Sequence, residues 1–87
     1  MGPMPAPLVV SVLLFAALAD RAGRDTCHIT LPAGATVSDI WSALPEPLGS
    51  QAAPAGVRYA RNDEWAGPAT PIASGDRIAI LLPVSGG

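Results

Sequence analysis

Few residues in this sequence have side chains that commonly perform chemistry in proteins. The one cysteine and the one histidine, Cys27 and His28, are neighbours, and Asp63 and Glu64 form an adjacent pair of carboxylates. A Cys–His pair could supply a nucleophile and its base, and two carboxylates could act as general acid and base. Neighbouring residues of a strand point to opposite faces, however, and adjacent carboxylates in a turn are usually solvated. We therefore expect neither pair to form a catalytic site.

The basic residues restrict the function further. All five are arginines, so the chain has no lysine for a P-loop or a Schiff base. One cysteine and one histidine exclude a disulfide framework and an all-protein Cys/His zinc site, and we expect no bound metal. Five arginines against seven acidic residues give a net charge of −2. This balance argues against a nucleic-acid partner, because phosphate binding needs a clustered basic face.

The first secondary-structure element that the sequence indicates is an apolar run at residues 8–19. This run resembles the hydrophobic part of a signal peptide, but no basic residue precedes it, and it is too short to span a membrane. We therefore predict a buried strand at 8–15, followed by a helical turn at 16–22 that ends at Gly23, and no membrane partner. Residues 26–31 alternate polar and apolar, which predicts a half-buried strand with Cys27 inward and His28 outward.

The second half of the chain contains the clearest helix signal. Thr36 and Asp39 form a capping-box-like pair, and an apolar stripe follows at Val37, Ile40, Trp41 and Leu44 until Pro45 ends the helix. Residues 45–56 are rich in Pro, Gly and Ala and predict a surface loop. Residues 57–61 alternate as a strand before a turn at 62–64. After a turn at 74–76, residues 77–84 read as a final strand that is apolar on both faces.

This order predicts an α+β fold of the β-grasp (ubiquitin-like) type, a mixed sheet with one main helix packed across it. The first and last strands are the most apolar, so we place them at the centre of the sheet, parallel to each other. At 87 residues the chain is expected to form a single domain, 1–87.

Three segments resemble a known family. Residues 14–23 are similar to a strand-then-short-helix opening, and residues 31–37 to the entry into the main helix. The most specific segment is the end of the chain, where a Gly-Asp turn and an apolar strand lead to Leu81-Leu82-Pro83-Val84-Ser85-Gly86-Gly87. On these residues the chain resembles the small subunit of molybdopterin synthase, a ubiquitin-like sulfur carrier of molybdenum cofactor biosynthesis.

The resemblance implies a mechanism at Gly87. A ubiquitin-activating-like adenylyltransferase would adenylate its carboxylate, and sulfur from a donor would replace AMP to give a thiocarboxylate. The tail would then enter the synthase large subunit and deliver sulfur to cyclic pyranopterin monophosphate. The chain would be no enzyme on its own but the sulfur-donating subunit of a cytoplasmic, heterotetrameric transferase.

The residues of the tail are consistent with that role. Ser85, Gly86 and Gly87 are expected to form a flexible tail, and glycine adopts whatever backbone conformation a narrow channel imposes. A carboxylate needs activation, and without a phosphate-binding loop this chain would bind no cofactor and leave ATP to its partner. If Ile78, Ile80 and Leu82 face the helix, Leu81 faces the opposite side of the sheet. We therefore assign Leu81, Pro83 and Val84 to a partner interface.

Two alternatives remain open at this stage. The first is a sulfur carrier for thiamine, cysteine or tRNA thiolation, or a ubiquitin-like protein modifier with the same fold and tail. The second is an interaction module with an unreactive tail, which would stay functional without Gly87.

Overall fold

The computed structural model describes residues 6–46, 48–50 and 53–83. The elements in chain order are strand β1 (Leu8–Leu14), helix α1 (Ala16–Ala22), strand β2 (Thr26–Leu31), a 3₁₀ helix (Val37–Ala43), a 3₁₀ turn (Leu48–Ser50) and strands β3 (Arg58–Arg61), β4 (Glu64–Ala66) and β5 (Arg77–Leu81). The five strands form one sheet in the order β2-β1-β5-β3-β4. β1 and β5 are parallel, and the other neighbouring strands are antiparallel. The predicted α+β β-grasp fold, with its central parallel pair, is confirmed.

β2 has its predicted bounds, whereas β1, β3 and β5 are shorter than predicted. β1 ends at Leu14, because the chain bends at Ala16, whose φ is +49°. β5 ends at Leu81, ahead of Pro83, which has no backbone N–H to continue a ladder. The predicted final strand reached residue 84, and Val84 lies outside the described residues. The sequence predicts a turn at 62–64, but Glu64 is the first residue of β4. Asn62 and Asp63, both at positive φ, already complete the turn.

The core lies between the sheet and the helices that cover one of its faces. Alternate residues of the central strands are buried there, Val10, Val12 and Leu14 of β1 and Ile78 and Ile80 of β5. Helix α1 adds Leu18 and ends at Gly23, whose left-handed φ of +72° matches the predicted helix stop. In the described part of the chain, no helix is long and apolar enough to span a membrane.

The main helix is present in its predicted place, but as a 3₁₀ helix. At its start, the Thr36 N–H donates to the Asp39 carboxylate at 2.8 Å, as the capping pair predicts. At its end, the Trp41 carbonyl accepts from the Leu44 N–H at 3.2 Å, because Pro45 has no N–H to make the longer α-helical bond. The apolar stripe is buried throughout, including Trp41. The change of helix type therefore leaves the predicted core face intact.

The prediction of a plain surface loop at 45–56 is wrong at one residue. Leu48 is fully buried and belongs to the core, because the 3₁₀ turn Leu48–Ser50 packs against the end of the 37–43 helix. The segment supplies a core side chain as well as a connection.

Candidate functional site

The predicted site lies where β5 leads into the C-terminal residues. The side chains of Ile78 and Ile80 are buried on the helix side, whereas Leu81 is half-buried on the opposite face, as predicted. Leu82 packs against the core, and Pro83 is exposed. Val84, Ser85, Gly86 and Gly87 lie outside the described residues, so the roles assigned to them stay predictions.

The strand register places a row of apolar side chains across the face of the sheet opposite the helices, which we call the outer face. Leu13 of β1 lies opposite Ala79 of β5, Ala79 opposite Ala60 of β3, and Ala60 opposite Trp65 of β4. Directly opposed residues share a face, so these four side chains form a continuous row. Leu81 lies on the same face, next along β5 toward the tail.

Two large aromatic side chains extend this row into solvent. Trp65 is 70% exposed, and Phe15, which continues the alternation of β1 beyond its end, is 49% exposed. Beside Phe15 is an open hollow of about 310 Å³, whose walls include Leu13 and Asp25. We define the outer patch as Leu13, Phe15, Ala60, Trp65, Ala79 and Leu81. Such an apolar surface, at the end of β5, has the character of a protein-binding face.

A single arginine borders the outer patch on the side of the tail. Arg58 lies directly opposite Leu81 in the β3–β5 register, and its guanidinium carbon is 5.9 Å from the centroid of the Trp65 ring. This is within the range of a cation–π interaction. The pair places one positive charge at the rim of an otherwise apolar surface.

Gly56 lies beside Pro83, where the chain leaves the sheet, and leaves little room for a side chain at position 56. A Cβ built on Gly56 would lie 3.3 Å from Cγ of Pro83, and the glycine has a φ of +77°. Both the left-handed backbone and the tight contact favour glycine at this position. The turn before β3 therefore sets the position of the last residue that the structure describes.

At the opposite end of β5, a buried carboxylate fixes the start of the strand. Asp76 accepts hydrogen bonds from Arg61 Nε at 2.6 Å, the Ala73 N–H at 2.8 Å and Asn62 Nδ2 at 3.0 Å. Burial raises the pKa of Asp76, but the hydrogen bonds and the charge of Arg61 outweigh it and hold the pKa below its usual value. Both carboxylate oxygens accept hydrogen bonds from groups of the fold, so we assign Asp76 a structural role.

The two pairs that first suggested catalysis are not assembled into sites. Cys27 is buried and His28 is exposed, on opposite faces of β2, as predicted. Burial raises the pKa of the Cys27 thiol, and the charge of Arg24 only partly opposes this, so the thiol remains protonated and a poor nucleophile. The Asp63 carboxylate is exposed and pairs with Arg77 at 2.9 Å. The interpretation of Asp63 as a solvated turn residue is confirmed.

Phe15, Trp65 and Arg58 are the site residues that sequence reasoning missed. The only available signal was their outward position in alternating strands, since Trp65 and Arg58 become neighbours through the register of the β3–β4 hairpin.

Comparisons with known proteins identify a family and solved structures to which this chain is similar. The family model described as "ThiS family" matches residues 12–87. A search of curated proteins by sequence found no match.

Solved structures with the same fold include a crystal structure of SAMP1 from Haloferax volcanii, with 32% identity and a TM-score of 0.77, covering 91% of this chain and 99% of that one. A putative molybdopterin converting factor, subunit 1, from Pyrococcus furiosus has 25% identity and a TM-score of 0.68, covering 88% of this chain and 99% of the other. A Caldiarchaeum subterraneum ubiquitin, with 13% identity and a TM-score of 0.61, covers 94% and 100% and shows the likeness of the fold alone.

Proposed function

Because the chain belongs to the ThiS family of ubiquitin-like sulfur carriers, we propose that it is the sulfur-donating small subunit of a molybdopterin synthase. The observation that supports this pathway most directly is the similarity, over 88% of this chain, to a protein described as a putative molybdopterin converting factor, subunit 1. The apolar outer patch beside the chain end supports a carrier that acts only when docked to another protein.

The proposed chemistry takes place at Gly87. An adenylyltransferase of the ubiquitin-activating class joins the Gly87 carboxylate to AMP from ATP and releases pyrophosphate. Hydrosulfide-level sulfur from the donor then attacks the acyl carbon and displaces AMP, which leaves a thiocarboxylate without any change in the oxidation state of the sulfur. The large subunit of the synthase receives this end and transfers the sulfur to cyclic pyranopterin monophosphate, within a heterotetramer.

In these steps the chain itself binds the partner enzyme and positions the Gly87 carboxyl group. Gly87 is the fourth residue after Pro83, so the reacting carbon lies within about 14 Å of the Pro83 Cα. Any active site that holds Gly87 must therefore lie near the end of β5, and we propose that its protein covers Leu81 and Pro83. We propose Leu81, Pro83 and Val84 as interface residues, with Phe15 and Trp65 extending the same surface.

The decisive experiment is intact mass spectrometry of the protein after incubation with the activating enzyme, ATP and a sulfur source. The mass should rise by the difference between sulfur and oxygen, and fragmentation should locate the change at Gly87. The thiocarboxylated protein, mixed with the large subunit, should then convert cyclic pyranopterin monophosphate to molybdopterin. An unchanged mass would overturn the sulfur-carrier proposal, and a thiocarboxylate that the large subunit cannot use would redirect it to another pathway.

A second function, ubiquitin-like protein modification, is supported by the 32% identity to the Haloferax volcanii SAMP1 protein, a small archaeal modifier. In that role Gly87 would form an amide with a lysine of a target protein. ATP-dependent appearance of Gly87 isopeptides on other proteins, without molybdopterin formation, would favour this second function.

A further inference from the structure

The Arg58–Trp65 pair is the most distinctive polar feature of the outer patch. The guanidinium of Arg58 lies over a tryptophan ring that is 70% exposed, and across the strand pair it faces Leu81. A planar guanidinium that stacks on an aromatic ring keeps its N–H groups available at its edge. Those groups match the two oxygens of a carboxylate.

Within the described residues, Arg58 is not paired with a carboxylate of its own chain. The two ion pairs there join Arg61 to Asp76 and Arg77 to Asp63. A partner that covers Leu81 would also remove water from the neighbouring guanidinium. Desolvating an unpaired charge is costly, so the covering surface must supply an opposite charge or leave the position open.

The length of the tail limits how far from this position an enzyme that holds Gly87 can lie. From Leu81 to Gly87 there are six residues, which span at most about 21 Å when fully extended. An enzyme that holds Gly87 in its active site therefore lies within about 21 Å of Leu81, which brings its surface near Arg58.

We propose that Arg58, held by Trp65, is a specificity-determining residue that binds an aspartate or glutamate side chain on the activating adenylyltransferase. Apolar side chains of the same enzyme cover Leu81 and Trp65, and the carboxylate meets the guanidinium edge in a bidentate pair. This inference rests on the proposed function, because it assumes that an adenylyltransferase activates Gly87.

The absence of lysine from the sequence allows a direct test by zero-length cross-linking. In an Arg58→Lys variant, the introduced amine is the only lysine of the chain. A carbodiimide activates a carboxylate, the amine attacks it, and a urea leaves as an amide bond forms, so only groups in contact are joined. The probe is the purified ubiquitin-activating-like adenylyltransferase encoded in the same genome. We expect cross-linked peptides that join position 58 to an aspartate or glutamate of that enzyme.

An Arg77→Lys variant that also carries Asp63→Asn provides the matched control for the cross-link, because the Asp63 carboxylate, which pairs with Arg77 at 2.9 Å, would otherwise capture the introduced amine within the chain. Arg77 lies on the same outer face but about 13 Å from Leu81 along β5, near the other end of the sheet. Cross-links to the enzyme from position 58 and not from position 77 support the proposal. No cross-link from position 58, or equal cross-linking from both positions, overturns it.

Charge reversal gives an independent readout. Arg58→Glu and Arg77→Glu change the net charge equally, and both side chains are exposed, so both variants should keep their circular dichroism spectra. We expect Arg58→Glu to weaken binding to the adenylyltransferase at least tenfold and Arg77→Glu to change it less than threefold. Equal losses would show a general charge effect and overturn the specific pair.

Thiocarboxylation of the wild-type chain distinguishes a failure of the proposed function from a failure of the proposed Arg58 contact. A wild-type chain that the enzyme does not convert refutes the proposed function and this inference together. A converted wild-type chain whose Arg58→Glu variant binds and reacts normally refutes the inference alone.

Discussion

The indole Nε1 of Trp41 donates a hydrogen bond of 2.8 Å to the hydroxyl of Tyr59 inside the core. The bond joins the 37–43 helix to β3, the neighbour of the central strand β5. Both side chains are almost fully buried, so each polar atom depends on the other for its partner. The hydrogen bond thereby fixes the helix over the half of the sheet that contains β3 and β5, the strand that precedes the tail.

Trp41→Ala should lower the free energy of unfolding by about 3–5 kcal/mol, because it removes a buried aromatic side chain and leaves the Tyr59 hydroxyl without its donor. So small a domain should then be largely unfolded. Thermal unfolding followed by circular dichroism measures the effect. Trp65→Ala is the matched control and should change stability by less than about 0.5 kcal/mol, since that ring is exposed. A Trp41→Ala variant that melts normally but no longer binds its partner would show that Trp41 is a surface contact.

Leu81→Glu should fold normally and lose about 2 kcal/mol or more of binding free energy toward the synthase large subunit, because the new charge would be desolvated against an apolar surface. Isothermal titration calorimetry measures the loss. Val9→Glu makes the same kind of change at an exposed position toward the other end of the outer face, and it should bind as the wild type does. Unchanged affinity of Leu81→Glu would place Leu81 outside the interface.

One alanine added after Gly87 should abolish sulfur transfer while leaving the melting temperature unchanged. The addition moves the reacting carbon by up to about 3.5 Å and brings a methyl group into a path suited to glycine. A misplacement of about 1 Å can already cost on the order of a hundredfold in rate. Thiocarboxylate formation and molybdopterin production are measured together, and binding should fall less than activity. Normal activity with the added alanine still attached would remove Gly87 from the chemistry.

Asp76→Asn should lower stability at pH 7 by about 1.5–3 kcal/mol, because it removes the charge that Arg61 and two other donors bind. The pKa of Asp76 is lower in the folded protein than in the unfolded chain. Its contribution is therefore complete well above the unfolded value of about 4 and is lost as the pH falls through the folded pKa. Unfolding curves recorded across this acid range should converge for the wild type and the variant. A constant difference at all pH values would contradict this assignment.

Gly56→Ala should destabilise the fold by about 1–2 kcal/mol through its left-handed backbone, and it should also displace Pro83. Gly75→Ala is the control, because Gly75 also has a positive φ but has nothing within 4 Å of its Cβ position. Both variants should lose stability, but only Gly56→Ala should slow thiocarboxylation of the tail. Equal rates in the two variants would show that Pro83 is not positioned by this contact.

Much of the fold could be predicted because local pattern and tertiary environment agree. The alternation of β2 places Cys27 inward and His28 outward, and the apolar character of β1 and β5 follows from their central position in the sheet. Gly23 ends α1 as a left-handed residue, in agreement with the sequence.

The features that escaped prediction depend on contacts between distant segments. Leu48 is buried because its short turn meets both the 37–43 helix and α1, and no local periodicity indicates this. Asp76 looks like an ordinary turn residue in the sequence, yet Arg61 and Asn62 reach it from the β3–β4 hairpin. Arg58 and Trp65 likewise meet through strand register, which a single sequence specifies weakly.

The central position of β5 has a consequence for the order of folding. β1 with β2 and β3 with β4 can each pair locally, but within the described residues only β5 joins these halves, and it is the last strand of the sequence. The contacts between β1 and β5 close a loop of more than sixty residues, which makes them late and slow to form. During synthesis the sheet stays in two parts until β5 has left the ribosome. A chain released before that point lacks two of the buried core residues, Ile78 and Ile80, so truncated products are exposed to proteolysis.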